Sequence, residues 1–296
     1  MIVTVTLNPA LDLTYPVGAL VPHRTHRVTG VAERAGGKGL NVARVLHALG
    51  EPVLATGLLG GPSGAVVASL LAAEGVPASF VPITGDTRRT VAVVDPGGAT
   101  GFWEPGPVIP AAEWLRFVDH FRELVGRAAV VTLCGSLPPG LPIDAYAVLS
   151  RLAAAEHVPV LLDTSGPALR HGLAAAPTVA KPNAEELAEL GPITAPTGGA
   201  LVVSHGPEGL HAITPDGEFR CAPPHPVDGN PTGAGDACAA ALARGLRDGV
   251  GWPELLADAV ALGAAAVASP VAGSFDPDVY RSTRAALAVT SGGAAC

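Results

Sequence analysis

Short apolar runs rich in β-branched residues alternate along this chain with longer stretches whose apolar positions return every three or four residues. Residues 2–7, 53–58, 129–134, 158–162 and 200–204 are runs of the first kind, continuous enough for strands buried on both faces. Within 40–49, Val42, Val45, Leu46 and Leu49 keep an i, i+3, i+4, i+7 spacing, and Gly50 follows as a C-cap. The same helical period covers about 65–75, 111–127, 143–157, 184–190, 234–248, 253–269 and 277–289. Strands separated by helices predict a three-layer α/β/α sandwich around a mainly parallel sheet, because parallel neighbours need a crossover that a helix supplies.

Two stretches interrupt the rhythm. Residues 12–34 and 85–104 hold strand-like pieces and turns with little helical period. Both are expected to leave one edge of the sheet and pair into a small β-stranded lid over a cleft. No internal repeat, low-complexity tail or long linker divides the chain, so 1–296 is expected to be a single unit with this lid.

A composition of 48% hydrophobic and 15% charged residues builds a sizeable core and argues against disorder. The net charge of −8, from 18 basic and 26 acidic residues, argues against a nucleic-acid partner. It leaves room for an anionic substrate, since a few placed cations dominate one cleft. Met1 to Leu7 alternates like a strand and lacks the basic start and long apolar stretch of a secretory signal. The apolar region Leu255 to Val271 carries Asp258 and Pro270, which suits a buried helix better than a membrane span. Cys134, Cys221, Cys238 and Cys296 have neither metal nor disulfide spacing and are expected as free thiols in a reducing cytoplasm. His23 and His26 are neighbours without further ligands, as in a surface loop. Only two of the basic residues are lysines, Lys38 and Lys181, and both sit in glycine- or proline-marked motifs where a compact ammonium is not interchangeable with a guanidinium.

The densest chemistry lies at 229–237, Gly-Asn-Pro-Thr-Gly-Ala-Gly-Asp-Ala, directly before an alanine-rich helix. Gly233, Ala234 and Gly235 bring bare amides to a helix N-terminus, where unpaired N–H groups and the helix dipole favour an anion. Asp236 is a carboxylate in a place suited to anions, so it fits a base better than a second binder. An anion cradle touching a base is what phosphoryl transfer to a hydroxyl requires. Other segments follow strands. Asn8-Pro9-Ala10-Leu11-Asp12 puts Asp12 at a strand end, where open α/β sheets bind ligands. Gly36-Gly37-Lys38-Gly39-Leu40-Asn41 opens a helix with a cation and an amide. Arg88 and Arg89 form a basic pair in the expected lid. Cys134 to Gly140, containing Ser136, is a rigid turn after a strand. Asn183 and Glu186 have the spacing of a helix capping box. Ser204 to Gly209 is either a tight hairpin or a nucleotide-facing loop. Neither a Gly-x-x-x-x-Gly-Lys-Ser/Thr nor a Gly-x-Gly-x-x-Gly after a strand occurs, which excludes a P-loop kinase and disfavours a dinucleotide enzyme.

In this order, Asn-Pro-Ala-Leu-Asp, Gly-Gly-Lys-Gly-x-Asn-x-Ala, Gly-Ser-Leu-Pro-Pro-Gly, Lys-Pro-Asn-x-x-Glu, Ser-x-Gly-x-x-Gly and Gly-Ala-Gly-Asp resemble the ribokinase-like (PfkB) carbohydrate kinases over about residues 2 to 285. Within them the chain looks most like the 1-phosphofructokinase and tagatose-6-phosphate kinase branch, to which Glu104-Pro105-Gly106-Pro107 also points. The resemblance implies Asp236 as catalytic base, with the amides of Gly233, Ala234 and Gly235 as anion hole. It implies Asp12, Gly37, Lys38, Asn41, Arg88, Glu104 and Ser136 around the sugar. It implies Lys181, Asn183, Ser204, Gly206, Glu208, Gly209 and the segment around Ala264 near the nucleotide, and Glu186 acting on magnesium through water. ATP with Mg2+ is then the expected donor, a ketohexose monophosphate (fructose 1-phosphate or tagatose 6-phosphate) the expected acceptor, and a homodimer through the lid the expected assembly. A kinase of an unphosphorylated sugar or nucleoside, or a silent sugar-binding regulator, are the alternatives. Many members of the branch carry Asn where this chain has Thr90 and Trp103.

Overall fold

The computed structural model describes residues 1–191 and 194–290. β1 (Ile2–Thr6) is buried at every position and leads through Asn8 into β2 (Ala10–Pro16) and β3 (Ala32–Gly36) of a second sheet. Helix α1 (Lys38–Ala48) returns the chain to β4 (Val53–Gly60), α2 (Gly61–Ala73) and β5 (Ala78–Ile83). β6 (Arg88–Asp95) and β7 (Gly98–Trp103) leave again for the second sheet. A regular alternation follows: α3 (Ala111–Val125), β8 (Val130–Cys134), α4 (Ala145–Ala155), β9 (Val160–Asp163) and α5 (Gly166–Leu173). It continues through β10 (Val179–Ala180), α6 (Ala184–Leu190) and β11 (Ala200–Ser204). The hairpin of β12 (Leu210–Thr214) and β13 (Gly217–Cys221) precedes α7 (Ala234–Asp248), α8 (Trp252–Val267) and α9 (Pro277–Thr290).

Among the described residues the large sheet has nine strands in the order β13-β12-β11-β10-β9-β8-β1-β4-β5, parallel from β11 to β5, with the terminal hairpin antiparallel. One core lies between the sheet and α1, α2, α7 and α8, around residues such as Leu40, Val67, Leu242 and Leu256. The other lies under α3, α4 and α5, around Phe117, Phe121, Leu149 and Leu169. This is the three-layer sandwich that the alternation of runs predicts. The chain builds outward from β1 to β4 and β5, then returns to β1's other side with β8 and goes on to β11. That reversal is a topological switch point, where strand carboxyl ends diverge and leave a crevice.

The second sheet has the order β3-β2-β6-β7, and β2 and β6 pair in parallel. The stretches 12–34 and 85–104 thus join one small sheet, as their broken rhythm predicts. Its strands reach further than expected, from Ala10 and to Gly36, so they run into the motifs around Asp12 and Lys38.

Five elements were not legible in the pattern. β5 contains Pro82 and lies at the sheet edge, where a missing N–H is tolerated. β10 has two residues, too few for any period. The β12–β13 hairpin is partly exposed and lacks a continuous apolar run. α5 opens on Gly166-Pro167, which looks like a turn but suits a first helical turn, where proline loses no hydrogen bond. Cys134 and Cys238 are buried free thiols, and Cys296 lies outside the described residues. No helix among the described residues is long and apolar enough to cross a membrane.

α7 and α8 approach closely because small residues face each other. A Cβ on Gly263 would lie 2.6 Å from the Cys238 sulfur. Gly263→Ala is expected to destabilise the protein by about 1–3 kcal/mol through overpacking. Adding Cys238→Ala should recover most of that loss. Urea melts of the two variants check this, and wild-type stability in Gly263→Ala would show that the helices have room to spare.

Candidate active site

The parallel strands deliver their last residues to one end of the sheet in a fixed lateral order. From the switch point outward these are Asn8 after β1, Ser136 after β8, Asp163 closing β9, Lys181 and Asn183 after β10, and Ser204 closing β11. α7 begins over this row. Its N-cap, Gly233, has φ 89°, a left-handed conformation that favours glycine. A Cβ there would also lie 3.0 Å from Ala272 Cα, so the loop before α9 seals the turn. The Ala234 amide donates to the Pro231 carbonyl (3.2 Å). The first-turn amides without a hydrogen bond among the described residues are those of Gly233, Gly235 and Asp236.

The Asp236 side chain is buried, 6% exposed, and its Oδ2 accepts a hydrogen bond from Asn41 Nδ2 at 2.8 Å. Burial, and then the negative charge of Asp163, push its pKa up to about 6. That value suits a general base near neutral pH: the group is ionised there yet still holds a proton well.

Both lysines of the chain converge on Asp163, a residue that the motif reading missed. Lys38 Nζ lies 2.9 Å from Asp163 Oδ1, and Lys181 Nζ lies 3.0 Å from its Oδ2. Burial disfavours the charged Asp163, but Lys181 and Lys38 outweigh it and hold the carboxyl below its ordinary range. Lys38 also reaches Glu186 Oε1 at 3.4 Å, and Asp163 above all holds its ammonium protonated. Lys38 therefore stands in a carboxylate cluster with Asp163 and Glu186, and its charge also acts on Asp236. A Cβ on Gly235 would lie 3.4 Å from Lys181 Nζ, so this second ammonium flanks the start of α7. The available signal for Asp163 was a carboxylate closing a buried apolar run, Val-Pro-Val-Leu-Leu-Asp.

Asn183 and Glu186 form a complete capping box at the start of α6. Asn183 Oδ1 accepts from the Glu186 amide (2.7 Å), and Glu186 Oε2 accepts from the Asn183 amide (2.8 Å). Next to them the Ser204 amide donates to the Pro182 carbonyl (3.1 Å). Gly206 and Glu208 lie in the exposed 3-10 turn Gly206–Glu208, and Gly209 ends it at φ 89°. There a Cβ would strike the Cys221 carbonyl oxygen at 2.1 Å, so the loop requires glycine. Ala264 is buried on α8, where its carbonyl accepts from Ala268 N.

At the other end of the row, Asn8 is the organising residue, and the motif reading quoted it without giving it a role. Its Nδ2 donates to Ser136 Oγ and to the Pro105 carbonyl, both at 3.1 Å, and its own carbonyl accepts from Arg88 Nε at 3.2 Å. Arg88 Nη1 donates to the Glu104 carbonyl (3.2 Å). Both acceptors are neutral, so no carboxylate quenches the Arg88 charge within hydrogen-bond distance among the described residues. A cavity of about 330 Å³ lined by Asp86, Arg88, Glu104, Pro105, Gly106 and Pro107 opens beside it. The Glu104 carboxylate is turned away to Arg89, which it meets at 2.8 Å from Nη2 and 3.1 Å from Nε. Register explains the division: Arg34, Asp12, Thr90 and Trp103 form one row across the four lid strands, and Arg88 shares their face while Arg89 lies on the other. Asp12 Oδ1 accepts a hydrogen bond from Thr90 Oγ1 and packs on Gly36, where any Cβ would overlap it. Burial raises the Asp12 pKa against the opposing effects of Thr90 and Arg88. Trp103 is 80% exposed. Gly37 is the N-cap of α1 at φ 125°.

A sequence model described as pfkB family carbohydrate kinase matches residues 5–278. The chain belongs to that family. Among solved structures, the tetrameric inhibited form of phosphofructokinase-2 from Escherichia coli is 29% identical, with a TM-score of 0.89 over 97% of this chain and 99% of that one. The same enzyme in complex with fructose-6-phosphate is 28% identical, with a TM-score of 0.86 over the same shares, 97% and 99%. The possible 1-phosphofructokinase of Thermotoga maritima, 24% identical with a TM-score of 0.84 over 96% and 97% of the two chains, shares the fold.

The elevated Asp236 pKa makes two linked expectations. Only the ionised carboxylate accepts a proton, so turnover should decline as pH falls through about 6. Because the folded-state pKa lies above the unfolded value, the fold loses stability as pH rises between the two and carries the full penalty above the higher one. Asp236→Asn should therefore lower kcat by at least about a hundredfold and raise Tm at pH 8 more than at pH 5. Steady-state assays and thermal melts at both pH values check this; normal turnover, or a Tm lowered at pH 8, contradicts it.

Proposed function

We propose that this protein transfers the γ-phosphoryl group of ATP to a hydroxyl of a ketohexose monophosphate. The observation that carries the reading is a buried carboxylate with an elevated pKa in the first turn of α7, beside unpaired helix amides and two lysines. Asp236 Oδ2 is held by Asn41, and its other oxygen makes no hydrogen bond among the described residues. That oxygen takes the proton of the acceptor hydroxyl as the new O–P bond forms and the bond to the ADP leaving oxygen breaks. The amides of Gly233 and Gly235 face the charge that spreads over the phosphoryl oxygens, and Lys181 adds a cation at the same helix end.

The donor set suits magnesium held mainly by phosphate and water. Glu186 already accepts from Asn183 N and Lys38 Nζ, and no group of three His, Cys, Asp or Glu side chains among the described residues is placed to hold a metal. Mg2+ keeps several waters in such sites, so Glu186 would hold it through water, and the ion would neutralise phosphate charge when bound. Glu186→Gln is expected to raise the magnesium needed for half-maximal rate by severalfold, on the scale of outer-shell changes of about 10- to 100-fold. A magnesium titration with unchanged midpoint removes Glu186 from this role.

For the acceptor, Arg88 is a cation with no carboxylate within hydrogen-bond distance among the described residues, and it borders a cavity beside the small sheet. A sugar phosphate placed there gains charge-assisted hydrogen bonds worth about 1.5–3 kcal/mol each, or about ten- to a hundredfold in affinity. Fructose 1-phosphate and tagatose 6-phosphate fit this reading. Fructose 6-phosphate joins them, because it is the ligand of the Escherichia coli phosphofructokinase-2 complex. ADP release with these three, set against fructose, tagatose, ribose and adenosine, is expected to favour a phosphorylated acceptor. Arg88→Ala should lower kcat/KM for it by at least about tenfold while sparing any neutral sugar. A neutral sugar as best acceptor, untouched by Arg88→Ala, leaves a kinase but ends the phosphosugar reading.

A further inference from the structure

Asn41 has a carboxamide whose oxygen and nitrogen ends are nearly equal in shape, so packing alone does not decide which end meets Asp236. The neighbour on its far side does. Arg44, three residues on and on the same face of α1, donates from Nη1 to Asn41 Oδ1 at 3.2 Å. A guanidinium has no acceptor, so the Asn41 oxygen must turn toward it and the NH2 toward Asp236, which it meets at 2.8 Å. Arg44 is itself held on all sides. It is 5% exposed, its Nη2 donates to the Ala35 carbonyl at the end of β3, and its Nε pairs with Glu74 at the C-cap of α2. Gly273 closes the stack, since a Cβ there would lie 2.8 Å from Asn41 Oδ1 and 3.3 Å from Arg44 Cδ.

From this geometry we infer that Arg44 is a positioning residue: anchored by Glu74 and the Ala35 carbonyl, it sets the Asn41 carboxamide so that its NH2 holds one oxygen of Asp236 and leaves the other to the acceptor hydroxyl. The inference deepens the reading of Asp236 as the base and rests on it. Arg44 makes no hydrogen bond to Asp236, and its proposed effect on that carboxylate passes through Asn41. Hydrogen bonds in such a buried chain polarise one another, so the loss of the first weakens the second.

Around Asp236 the ionisable groups are Asn41's neighbour Lys38 on α1, Cys134 of β8, Asp163 of β9, Lys181 after β10 and Cys238 of α7. Burial keeps both thiols neutral, raising Cys238 to about 11. Around Arg44 they are Asp12 of β2, whose charged form it favours, and Arg34 of β3, His47 of α1 and Glu74, which share a cavity of about 270 Å³ with it. The Asn41 hydrogen bond favours the charged form of Asp236, so losing it moves the titration upward.

The test compares wild type, Arg44→Met and Arg44→Lys in the full chain. Carboxyl 13C NMR titration reads Asp236 directly, with its signal assigned through Asp236→Asn. The pH dependence of kcat is measured with the best acceptor among fructose 1-phosphate, fructose 6-phosphate and tagatose 6-phosphate. Arg44→Met is expected to raise the Asp236 titration and the acid limb of kcat together by about one pH unit, the scale of one hydrogen bond to a charged group. It should also lower kcat at neutral pH about tenfold while KM for ATP stays within about twofold. In an Asn41→Ala background the same change should move neither quantity further, because the effect passes through Asn41. If Arg44→Met does not fold, Arg44→Lys, which keeps the charge near Glu74 but not the fork, should shift the titration in the same direction by less. An Asp236 titration and acid limb unchanged in the folded variants, even with a lowered Tm, overturns the inference and leaves Arg44 a structural residue. If wild type turns over none of these three acceptors, the phosphosugar reading fails, while the NMR titration still decides the role of Arg44.

Discussion

A carboxylate that is to work as a base near neutral pH has to be buried enough to hold a proton firmly and still ionise in that burial. As the proposed base, Asp236 stands under both demands, and its buried neighbours bear on each of them. Burial and Asp163 act against its charge, whereas Asn41, Lys38 and Lys181 act for it. The first turn of α7 contributes unpaired amides and the positive end of a helix dipole, which also favour a negative group. None of these contributions is strong alone. Their balance sets the titration, so the polar neighbours of Asp236 are tied to several separate elements of the sandwich.

Asp163 shows how that balance is held without a large net charge. Two lysines converge on one fully buried carboxylate, and neither lysine is then left to pair with Asp236 itself. A direct Lys–Asp236 pair would pull the base's pKa down and spend its proton affinity. With the ammonium groups drawn to Asp163, Lys181 still flanks the start of α7, and Lys38 still links Asp163 to Glu186. Compact ammonium groups suit this arrangement better than broad guanidiniums, which agrees with lysine appearing only here in a chain that otherwise uses arginine.

The lid follows another rule, the two-residue alternation of a strand. Arg88 and Arg89 are adjacent in sequence and therefore point to opposite faces. Arg89 is consumed in an exposed pair with Glu104, while Arg88 rests on neutral carbonyls beside a cavity. The same alternation aligns Thr90 with Asp12 and Trp103. Its hydroxyl occupies Asp12 directly, which gives this chain's departure from the branch pattern a physical consequence at the lid.

The local sequence by itself determined the layered architecture, the small second sheet and the helix entry at Gly233 to Asp236. Hydrophobic period and glycine placement act over a few residues, so they are readable without the fold. It was also enough to pick out Asn183 and Glu186, whose capping box is made within one helical turn. What it left undecided involves partners far apart in the chain. Asp163 is one aspartate among many until the start of α1 and the end of β10 meet the end of β9 and bring Lys38 and Lys181 to it. Asn8 is one residue of a motif until its amide meets Ser136 and Pro105 across the switch point. Lys38 is marked by its motif, yet its pairing with Asp163 depends on the strand that ends opposite it. Arg44 looks like an ordinary helical charge until α1 packs against β3 and α2, and only then is it buried between Ala35, Glu74 and Asn41. Short-range periodicity decides which elements form, whereas the charges they carry acquire a function only when packing chooses their neighbours.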